Sequence, residues 1–299
     1  MKNQSLGYRL FTIANYLFIT MLALATLYPY LNTLAVALND GGDTMLGGVT
    51  FYPRMPTLEN FTTILSSESM LRALFVSVLQ TVLGTLLGLI VQFTAAYALT
   101  KRRLVGRTGI LLYLTIPMFI TGGLIPTYLL YSNLQLLNTL WVYVLPGAFS
   151  FFNVIIIRTY MYTLPESLEE SAKIDGAGEW KILWRIVLPL CRPILATIAL
   201  WTAVANWNDW TTTLYFITKS NLQTLQYKLM LMIKESEMIA RLMQEAIERG
   251  ETVPNYTARV TSESIRAAQV IITTIPIILV YPFLQKHFIK GVLIGSVKE

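Results

Sequence analysis

The sequence has almost none of the residues that build metal, redox or disulfide chemistry. Its 299 residues include one cysteine, Cys191, and one histidine, His287. A disulfide framework is therefore excluded, and neither a metal site nor a cofactor is expected in this chain, because such sites need several ligands. A hydrolase whose nucleophile is activated by histidine is disfavoured too, since His287 has no evident partner.

Charged residues are scarce as well, and this scarcity indicates the class of protein. They make up 13% of the chain, whereas 54% of its residues are hydrophobic and the mean hydropathy is +0.54. Soluble domains carry roughly a quarter of charged residues, so the sequence predicts an integral membrane protein. The net charge of +6 does not indicate nucleic acid, because the basic residues form no patch with interleaved aromatic rings.

A nucleotide-binding loop is the third absence. The P-loop pattern Gly-x-x-x-x-Gly-Lys-Ser/Thr, whose backbone cradles phosphates, does not occur. The chain is therefore not expected to be an enzyme, and any ATP-driven step would be performed by another chain. Ionisable residues inside the apolar segments are few, and Asp209 is the clearest of them. An ion-coupled carrier usually needs such residues deep in its spans, so this function is disfavoured.

Six segments are long and apolar enough to cross roughly 30 Å of hydrocarbon as helices. They lie at about 10–38, 73–99, 108–130, 138–162, 193–217 and 267–288. The first is much longer than the roughly 7–15 apolar residues of a signal peptide, so we expect it to remain as a span. Proline and glycine inside the spans predict helices that bend around a path. The predicted fold is an all-α, six-helix integral membrane domain over 1–299.

Lysine and arginine determine the predicted orientation. They concentrate beside those span ends that would then face the cytoplasm, most densely in Lys101-Arg102-Arg103, as the positive-inside rule requires. Both termini and the loop 163–192 are therefore predicted to be cytoplasmic. Outside lie 39–70, predicted to be irregular, and 218–266. Within the latter, 227–249 is typical of an amphipathic helix, which either caps the outer face or docks an external binding protein.

The loop 163–192 contains a charged amphipathic segment between the fourth and fifth spans, on the predicted cytoplasmic side. Pro165 suits the first position of a helix, and the glutamates that follow suit the positive end of the helix dipole. Asp175-Gly176-Ala177-Gly178 interrupts the helical pattern, and Asp175 is in place to cap the next helix. Apolar residues then recur at helical spacing, at Trp180, Leu183, Trp184 and Val187. The pattern predicts a helix-turn-helix.

These residues resemble the EAA loop of ABC importer permeases. The matching positions are Glu170-Ser171-Ala172, Asp175-Gly176-Ala177, Ile186 and Leu188-Pro189. Two positions depart from the family pattern, because Ser171 replaces a small apolar residue and Leu183 stands where phenylalanine is usual. The resemblance implies that residues 163–192, named the coupling loop below, dock in a groove of a cytoplasmic ATPase. The alternative is a surface helix between two spans.

The resemblance assigns the ATPase contact to particular residues of the coupling loop. They are Glu170, Ala172, Asp175, Gly176, Ala177, Leu183 and Pro189.

A polar and aromatic cluster lies in the fifth predicted span, somewhat beyond its midpoint. It consists of Asn206, Trp207, Asn208, Asp209 and Trp210. Such groups are costly in lipid, so they are expected to face protein or a water-filled path. Indole faces stack on the apolar faces of sugar rings, and amides exchange hydrogen bonds with hydroxyls. The cluster therefore indicates either a carbohydrate path or a packed interface with a partner permease.

Further residues resemble carbohydrate-importer permeases related to the maltose permease G subunit and the polysaccharide-type permeases. They are 207–210, 222–226, 281–286, 290–292 and 294–298, and the similarity extends over nearly the whole chain. Relatives usually end with glycine after the lysine at 298, where this chain has Glu299. In relatives the tail reaches toward the ATPase, so the resemblance implies a contact through Gly295, Ser296, Val297 and Lys298.

The resemblance implies an assembly in a bacterial cytoplasmic membrane. Its other members would be a second homologous permease, two ATPase subunits that hold ATP and Mg²⁺, and an external solute-binding protein that delivers an oligosaccharide. Two other functions stay open at this point. One is an ion-coupled secondary sugar carrier that depends on Asp209, and the other is a non-conducting membrane assembly subunit.

Overall fold

The computed structural model describes residues 6–249 and 261–296. Fifteen α-helices run through these residues, which contain no β-strand and one isolated bridge between Asn39 and Pro56. This confirms the all-α part of the predicted fold. The helices are α1 (Leu6–Ala37), α2 (Gly41–Met45), α3 (Glu59–Ser66), α4 (Glu68–Thr100), α5 (Arg107–Phe119), α6 (Leu124–Asn133), α7 (Trp141–Val144), α8 (Phe151–Met161), α9 (Glu166–Ile174), α10 (Glu179–Ile182), α11 (Leu188–Leu190), α12 (Arg192–Trp207), α13 (Thr211–Phe216), α14 (Leu225–Glu248) and α15 (Ser262–Ser296).

The chain divides into two compact units. One unit comprises residues 1–71 and 229–275, and the other comprises residues 72–228 and 276–299. The prediction of one permease domain over 1–299 stays a prediction, and so does the orientation of the two termini.

Three helices in the described part of the chain are long and apolar enough to cross a membrane singly. They are α1, α4 and the first half of α15, and three bent helix pairs raise the number of spans to as many as six. The six predicted segments therefore each contain helix, but only half of them are single helices. The large apolar side chains of α1 between Tyr8 and Tyr28 are exposed, as expected of a helix that faces outward.

The bends in the broken pairs coincide with residues that interrupt helices. Between α5 and α6 the chain turns by 118°, close to Pro117 and at Gly123, whose φ of +83° favours glycine. A 46° bend before α8 follows Pro146 at the start of a 3₁₀ turn. The third bend, 79°, lies where α12 begins. The predicted bending is thus confirmed, and the structure adds its angles.

Asn60 joins three segments of the first unit. Its Nδ2 donates to the carbonyl oxygens of Ala37 and Asn39 at 2.9 and 2.8 Å, and its Oδ1 accepts from the hydroxyl of Ser264 at 2.8 Å. The side chain is fully buried, so all of these polar groups need partners. Around it the small residues Ala37, Ala267 and Ala268 pack with two isoleucines, which allows the helices to approach closely.

Residues 39–70 are more ordered than the sequence predicted. They contain α2 and α3, and the side chain of Asp40 caps α2 by accepting from the backbone N–H groups of Gly42 and Asp43. Arg54 Nε donates to Asp43 Oδ2 at 3.0 Å. Hydrogen bonds from Asn39 and then from Arg54 hold the pKa of Asp43 below its ordinary value. The prediction of an irregular segment was therefore wrong in part, because local side-chain caps replace longer secondary structure.

The second unit has a core that includes the inner side of the coupling loop. Its fully buried side chains include Phe93 of α4, Ile157 of α8, Ile182 of α10 and Ile198 of α12. A second cluster packs Val76, Tyr143 and Ile217. The coupling loop is therefore attached to three of the helices that the sequence assigns to the membrane.

The predicted amphipathic helix at 227–249 is confirmed as α14, which begins two residues earlier. Leu229, on its predicted apolar side, is buried, whereas Leu242 on the same side is 53% exposed. The role of this helix, a cap on the outer face or a docking surface, stays a prediction.

Candidate functional site

The first half of the coupling loop is closed by glycine. Helix α9 ends at Ile174 with Asp175 as its C-cap, and Gly176 follows with a φ of +76°. The N–H of Ala177 donates to the carbonyl of Ala172 at 2.9 Å, and that of Gly176 donates to the carbonyl of Lys173 at 3.0 Å. These two bonds are the Schellman motif, which needs a left-handed residue at the glycine position. The sequence pattern in which Ala172 is followed by Asp175-Gly176-Ala177 is therefore typical of a helix that ends in this motif.

The prediction that Asp175 caps the second helix was wrong. Asp175 is the last residue of the first helix end, with its N–H on the carbonyl of Ser171 at 3.1 Å. Helix α10 starts after Gly178, which offers no side chain as a cap. Asp175 is part of the Schellman motif, so the N-cap position of α10 falls on Gly178. The predicted helix-turn-helix itself is confirmed.

The second half of the loop departs from a regular α-helix. After the single turn of α10, Leu183–Val187 forms a π-helix, and α11 follows with Pro189 near its start. Segments of π-helix are rare and occur often at functional sites. A 79° bend then separates this part of the loop from α12.

The coupling loop has one buried and one exposed apolar side. Ala172, Leu183 and Val187 are buried in the core of the second unit, so Leu183 supports the loop from inside. Ile174 and Trp180 are 87% and 70% exposed. Large apolar side chains with such exposure on adjoining turns are a feature of interaction surfaces.

The remaining residues assigned to the ATPase contact divide in the same way. Glu170, Asp175 and Gly176 are exposed, whereas Ala177 and Pro189 are half-buried. The predicted contact residues are thus brought into one loop, but the most exposed apolar side chains, Ile174 and Trp180, were not among them. Their helical spacing was visible in the sequence, and only the structure shows which way they face.

A charged cluster holds the coupling loop against the end of α4. Lys101 contacts the carboxylate of Glu169 and lies 3.5 Å from that of Glu179, while Lys173 lies 2.9 Å from Glu179. The Tyr97 hydroxyl donates to Glu179 Oε2 at 2.6 Å. Donation from Tyr97 and then from Lys173 lowers the pKa of Glu179 to about 2. We name Tyr97, Lys101, Glu169, Lys173 and Glu179 the loop junction; a cavity of about 550 Å³ adjoins it.

The loop junction was not found by sequence reasoning. Lys101 was interpreted as a topology signal and Glu169 as a charge at a helix start, whereas no role was predicted for Glu179. Sequence separations of 68 and 82 residues between the bonded partners leave no local pattern that would pair them.

The predicted polar cluster lies at a break in the fifth span. Helix α12 ends at Trp207 and α13 begins at Thr211, so the continuous fifth helix that was predicted is wrong. We name residues 206–210 the polar break. Asp209 Oδ1 accepts from the backbone N–H of Thr212 and from the Thr211 hydroxyl, both at 3.0 Å. The Asp209 side chain therefore caps the N-terminus of α13, a role that suits a carboxylate.

Two residues of α4 hold the polar break. Gln80 Nε2 donates to the carbonyl of Asn206 at 3.0 Å and to Asp209 Oδ2 at 3.3 Å. A Cβ on Gly84 would lie 2.6 Å from Asn206 Nδ2, so any side chain at this position would require the Asn206 amide to shift. Sequence reasoning missed both residues because it noted only that the second span has no charge.

The other members of the polar break differ in accessibility. Trp207 is buried and Trp210 half-buried, while Asn208 is exposed and its Oδ1 accepts from Gln226 at 3.1 Å. Gln80 Oε1 and the Thr81 and Thr85 hydroxyls are buried with no hydrogen-bond partner in the described part of the chain. These three polar atoms, which lie in a predicted span, are therefore available for a further hydrogen bond.

The predicted contact through the C-terminal tail lies mostly beyond the structure. Gly295 and Ser296 end α15, and Val297 and Lys298 lie outside the described residues. Among the residues that are described, no group of three His, Cys, Asp or Glu side chains is arranged to hold a metal ion.

Comparisons with known proteins agree with this architecture. Residues 56–294 match the family described as binding-protein-dependent transport system inner membrane component. Protein LplC of Bacillus subtilis (strain 168) is 40% identical over 298 residues, which is 100% of this chain and 98% of LplC. The polygalacturonan/rhamnogalacturonan transport system permease protein YtcP of the same organism is 35% identical, over 97% of this chain and 99% of YtcP.

A solved structure is similar throughout its length. It is a chain of a bacterial ABC transporter involved in the import of the acidic polysaccharide alginate, with a TM-score of 0.84 and 28% identity. The match covers 96% of this chain and 100% of that chain. These findings confirm the resemblance to sugar-type ABC importer permeases that the sequence showed. The chain therefore belongs to the family of inner membrane components of binding-protein-dependent transport systems, whose members are transport permease subunits rather than enzymes.

Proposed function

We propose that this chain is a transmembrane permease subunit of an ATP-driven ABC importer for oligosaccharides or polysaccharide-derived sugars. Its coupling loop would convert closure of a separate ATPase into movement of the spans. The observation that carries this proposal is the two-sided coupling loop, which buries Leu183 in the helical core and exposes Ile174 and Trp180. A loop built in this way can take up force on one side and deliver it on the other.

Support for a sugar as the cargo comes from the relatives. YtcP is named for polygalacturonan and rhamnogalacturonan, and the similar solved transporter imports alginate. The amides of Gln80, Asn206 and Asn208 are neutral donors and acceptors that suit sugar hydroxyls without the cost of a charge in the membrane. In the proposal the polar break borders the path of the sugar, and the exposed Asn208 is the member best placed for direct contact.

The proposed assembly contains four further subunits or partners in a bacterial cytoplasmic membrane. A second homologous permease completes the path, two ATPase subunits bind ATP and Mg²⁺, and an external solute-binding protein delivers the sugar. Both termini of this chain and its coupling loop lie on the cytoplasmic side. The tail 295–298 provides a second contact with the ATPase.

In the proposed cycle, ATP draws the two ATPase subunits together and moves the coupling loop with them. Glu170 and the turn at Gly176 lie on the docked surface. Because Leu183 and Val187 pack in the same core as Phe93 and Ile157, the displacement reaches α4 and α8. The spans then rock so that the path opens outward, and ATP hydrolysis restores the inward state.

Substitution at Gly176 tests the proposal. Gly176→Trp places bulk on the docked surface and a side chain at a φ of +76°, so sugar uptake by cells should be lost while the protein stays in the membrane. Gly176→Asn is the matched control, because asparagine tolerates left-handed backbone and adds little volume, and it should retain most uptake. Normal uptake by Gly176→Trp would contradict the proposed docking.

The ion-coupled carrier is the less well supported function. Asp209 is occupied by hydrogen bonds that begin α13 and by Gln80, which favours a structural role over proton transfer. Asp209→Asn should therefore leave the dependence of uptake on the proton gradient unchanged. Loss of that dependence alone would favour the carrier.

A further inference from the structure

The loop junction connects two segments that the backbone does not join directly. Through the chain, the coupling loop continues into α8 on one side and into α12 on the other. Helix α4 is reached only through space, by apolar contacts and by the loop junction. Apolar packing has no direction of its own, whereas a hydrogen bond and an ion pair fix the register between two surfaces.

Three members of the loop junction are more buried than the residues of an ordinary surface ion pair. Tyr97 is buried, and the side chains of Lys101 and Glu169 are 26% and 30% exposed. The Lys101 ammonium also lies 3.9 Å from the centre of the Tyr97 ring, a cation–π geometry. The end of α4 and the residue that follows it thus supply both a buried hydroxyl donor and a partly desolvated cation that point to the same carboxylate of the loop.

We propose that Tyr97 and Lys101 are positioning residues that fasten the coupling loop to α4, so that loop and span move as one body when the ATPase closes. This inference rests on the proposed function of the loop. Glu179 is the residue of the loop that both of them hold, and Lys173 and Glu169 complete the charge balance around it. Without this connection, only the apolar packing around Phe93 would carry the movement to α4, which would then lag behind α8 and α12.

The test measures a distance within the second unit in the purified, assembled importer. Spin labels are placed by Arg185→Cys on the loop, at an exposed position outside the residues assigned to the ATPase contact, and by Leu86→Cys on α4, which is 54% exposed. The native Cys191 is buried and will not be labelled. Electron spin resonance then records the distance between the labels without nucleotide and with ATP plus vanadate. The expected result is the same distance distribution in both states.

Two substitutions should break this invariance. Tyr97→Phe keeps the ring beneath Lys101 but removes the hydroxyl that Glu179 accepts, and Lys101→Met removes the cation. In each variant the distance should change on addition of ATP plus vanadate, with the larger change in the double variant. Glu166→Gln is the matched control: it removes a negative charge from the same loop, and the described residues show no bond between Glu166 and α4.

A structural role alone would give a different result. If the loop junction only adds stability, Tyr97→Phe and Lys101→Met would lower the melting temperature of the complex without a nucleotide-dependent distance change, and that result would overturn the inference. A wild-type distance that itself changes with nucleotide would overturn it as well. Failure of the proposed function is recognised separately, because no ATPase would then purify with the wild-type chain, and both proposals would fall.

Discussion

The coupling loop and the polar break are both held by α4, but through different chemistry. At the loop junction Tyr97 of α4 and Lys101, the residue after its end, contact carboxylates whose side chains are 30% and 55% exposed. At the polar break α4 uses the neutral amide of Gln80 and the absent side chain of Gly84, both buried. Charges cost little where water reaches them and a great deal inside a membrane. One helix thus binds two polar partners, each with groups suited to the local solvent.

The largest effect is expected from closing the gap at Gly84. Gly84→Leu would force apart α4 and the end of α12, because even a Cβ there would lie 2.6 Å from Asn206 Nδ2. We expect a loss of about 3 kcal/mol or more, seen as a large fall in the melting temperature in detergent. Gly109→Leu is the control, since nothing lies within 4 Å of a Cβ at that helical position.

A smaller substitution sharpens this prediction. Gly84→Ala should cost much less than Gly84→Leu, because its Cβ would meet only the end of the Asn206 side chain, which can turn away. Equal stability of Gly84→Leu and Gly109→Leu would contradict the close packing at the polar break.

Loss of the amide at Gln80 should have an intermediate effect. Gln80→Leu leaves one oxygen of Asp209 without its donor and removes the side-chain donor to the carbonyl of Asn206, which keeps the N–H of Asp209. This loss should cost roughly 1–3 kcal/mol. Thermal unfolding of the purified protein measures the change. Thr94→Val is the control on the same helix, because the Thr94 hydroxyl bonds only to carbonyls of its own helix. If both variants melt at the same temperature, Gln80 does not hold the break.

The smallest effect should come from acid at the loop junction. The pKa of Glu179 is lowered from 4.5 to about 2 by Tyr97 and Lys173, so its contribution to stability is complete above pH 4.5 and is lost as the pH falls toward 2. The side chain is half exposed, which keeps this contribution small. Glu179→Gln should flatten the decline of melting temperature between pH 4.5 and 2. A variant that follows the wild-type curve would show that the pKa is not lowered.

The same comparison separates what could be predicted from the sequence from what could not. The turn at Asp175-Gly176-Ala177 was predictable because its hydrogen bonds span five residues and need a glycine at one position. Prolines and glycines indicated that spans bend but not which ones, since α1 and α15 continue past Pro29, Pro276 and Pro282. Geometry that depends on a few adjacent residues can thus be predicted from their sequence. The assignment of Asp175 to the wrong helix shows, however, that one residue can suit two neighbouring motifs.

The connections made by α4 could not be predicted. Gln80 lies 126 residues from Asn206 in sequence, and Tyr97 lies 82 residues from Glu179. Glutamine in an apolar run and tyrosine near its end are ordinary in a membrane helix, so neither residue type indicated a partner. Their pairing follows from how the helices pack, which a single sequence does not specify.

Chemical labelling of Ile174 tests the central claim most directly. In membranes that contain the whole importer, a maleimide is applied to the Ile174→Cys variant, whose native Cys191 is buried. The account predicts slow labelling in the complex and rapid labelling once the ATPase subunits are stripped off with urea, because the ATPase covers the exposed side of the coupling loop. Equally rapid labelling before and after stripping, with ATP present or absent, would contradict it.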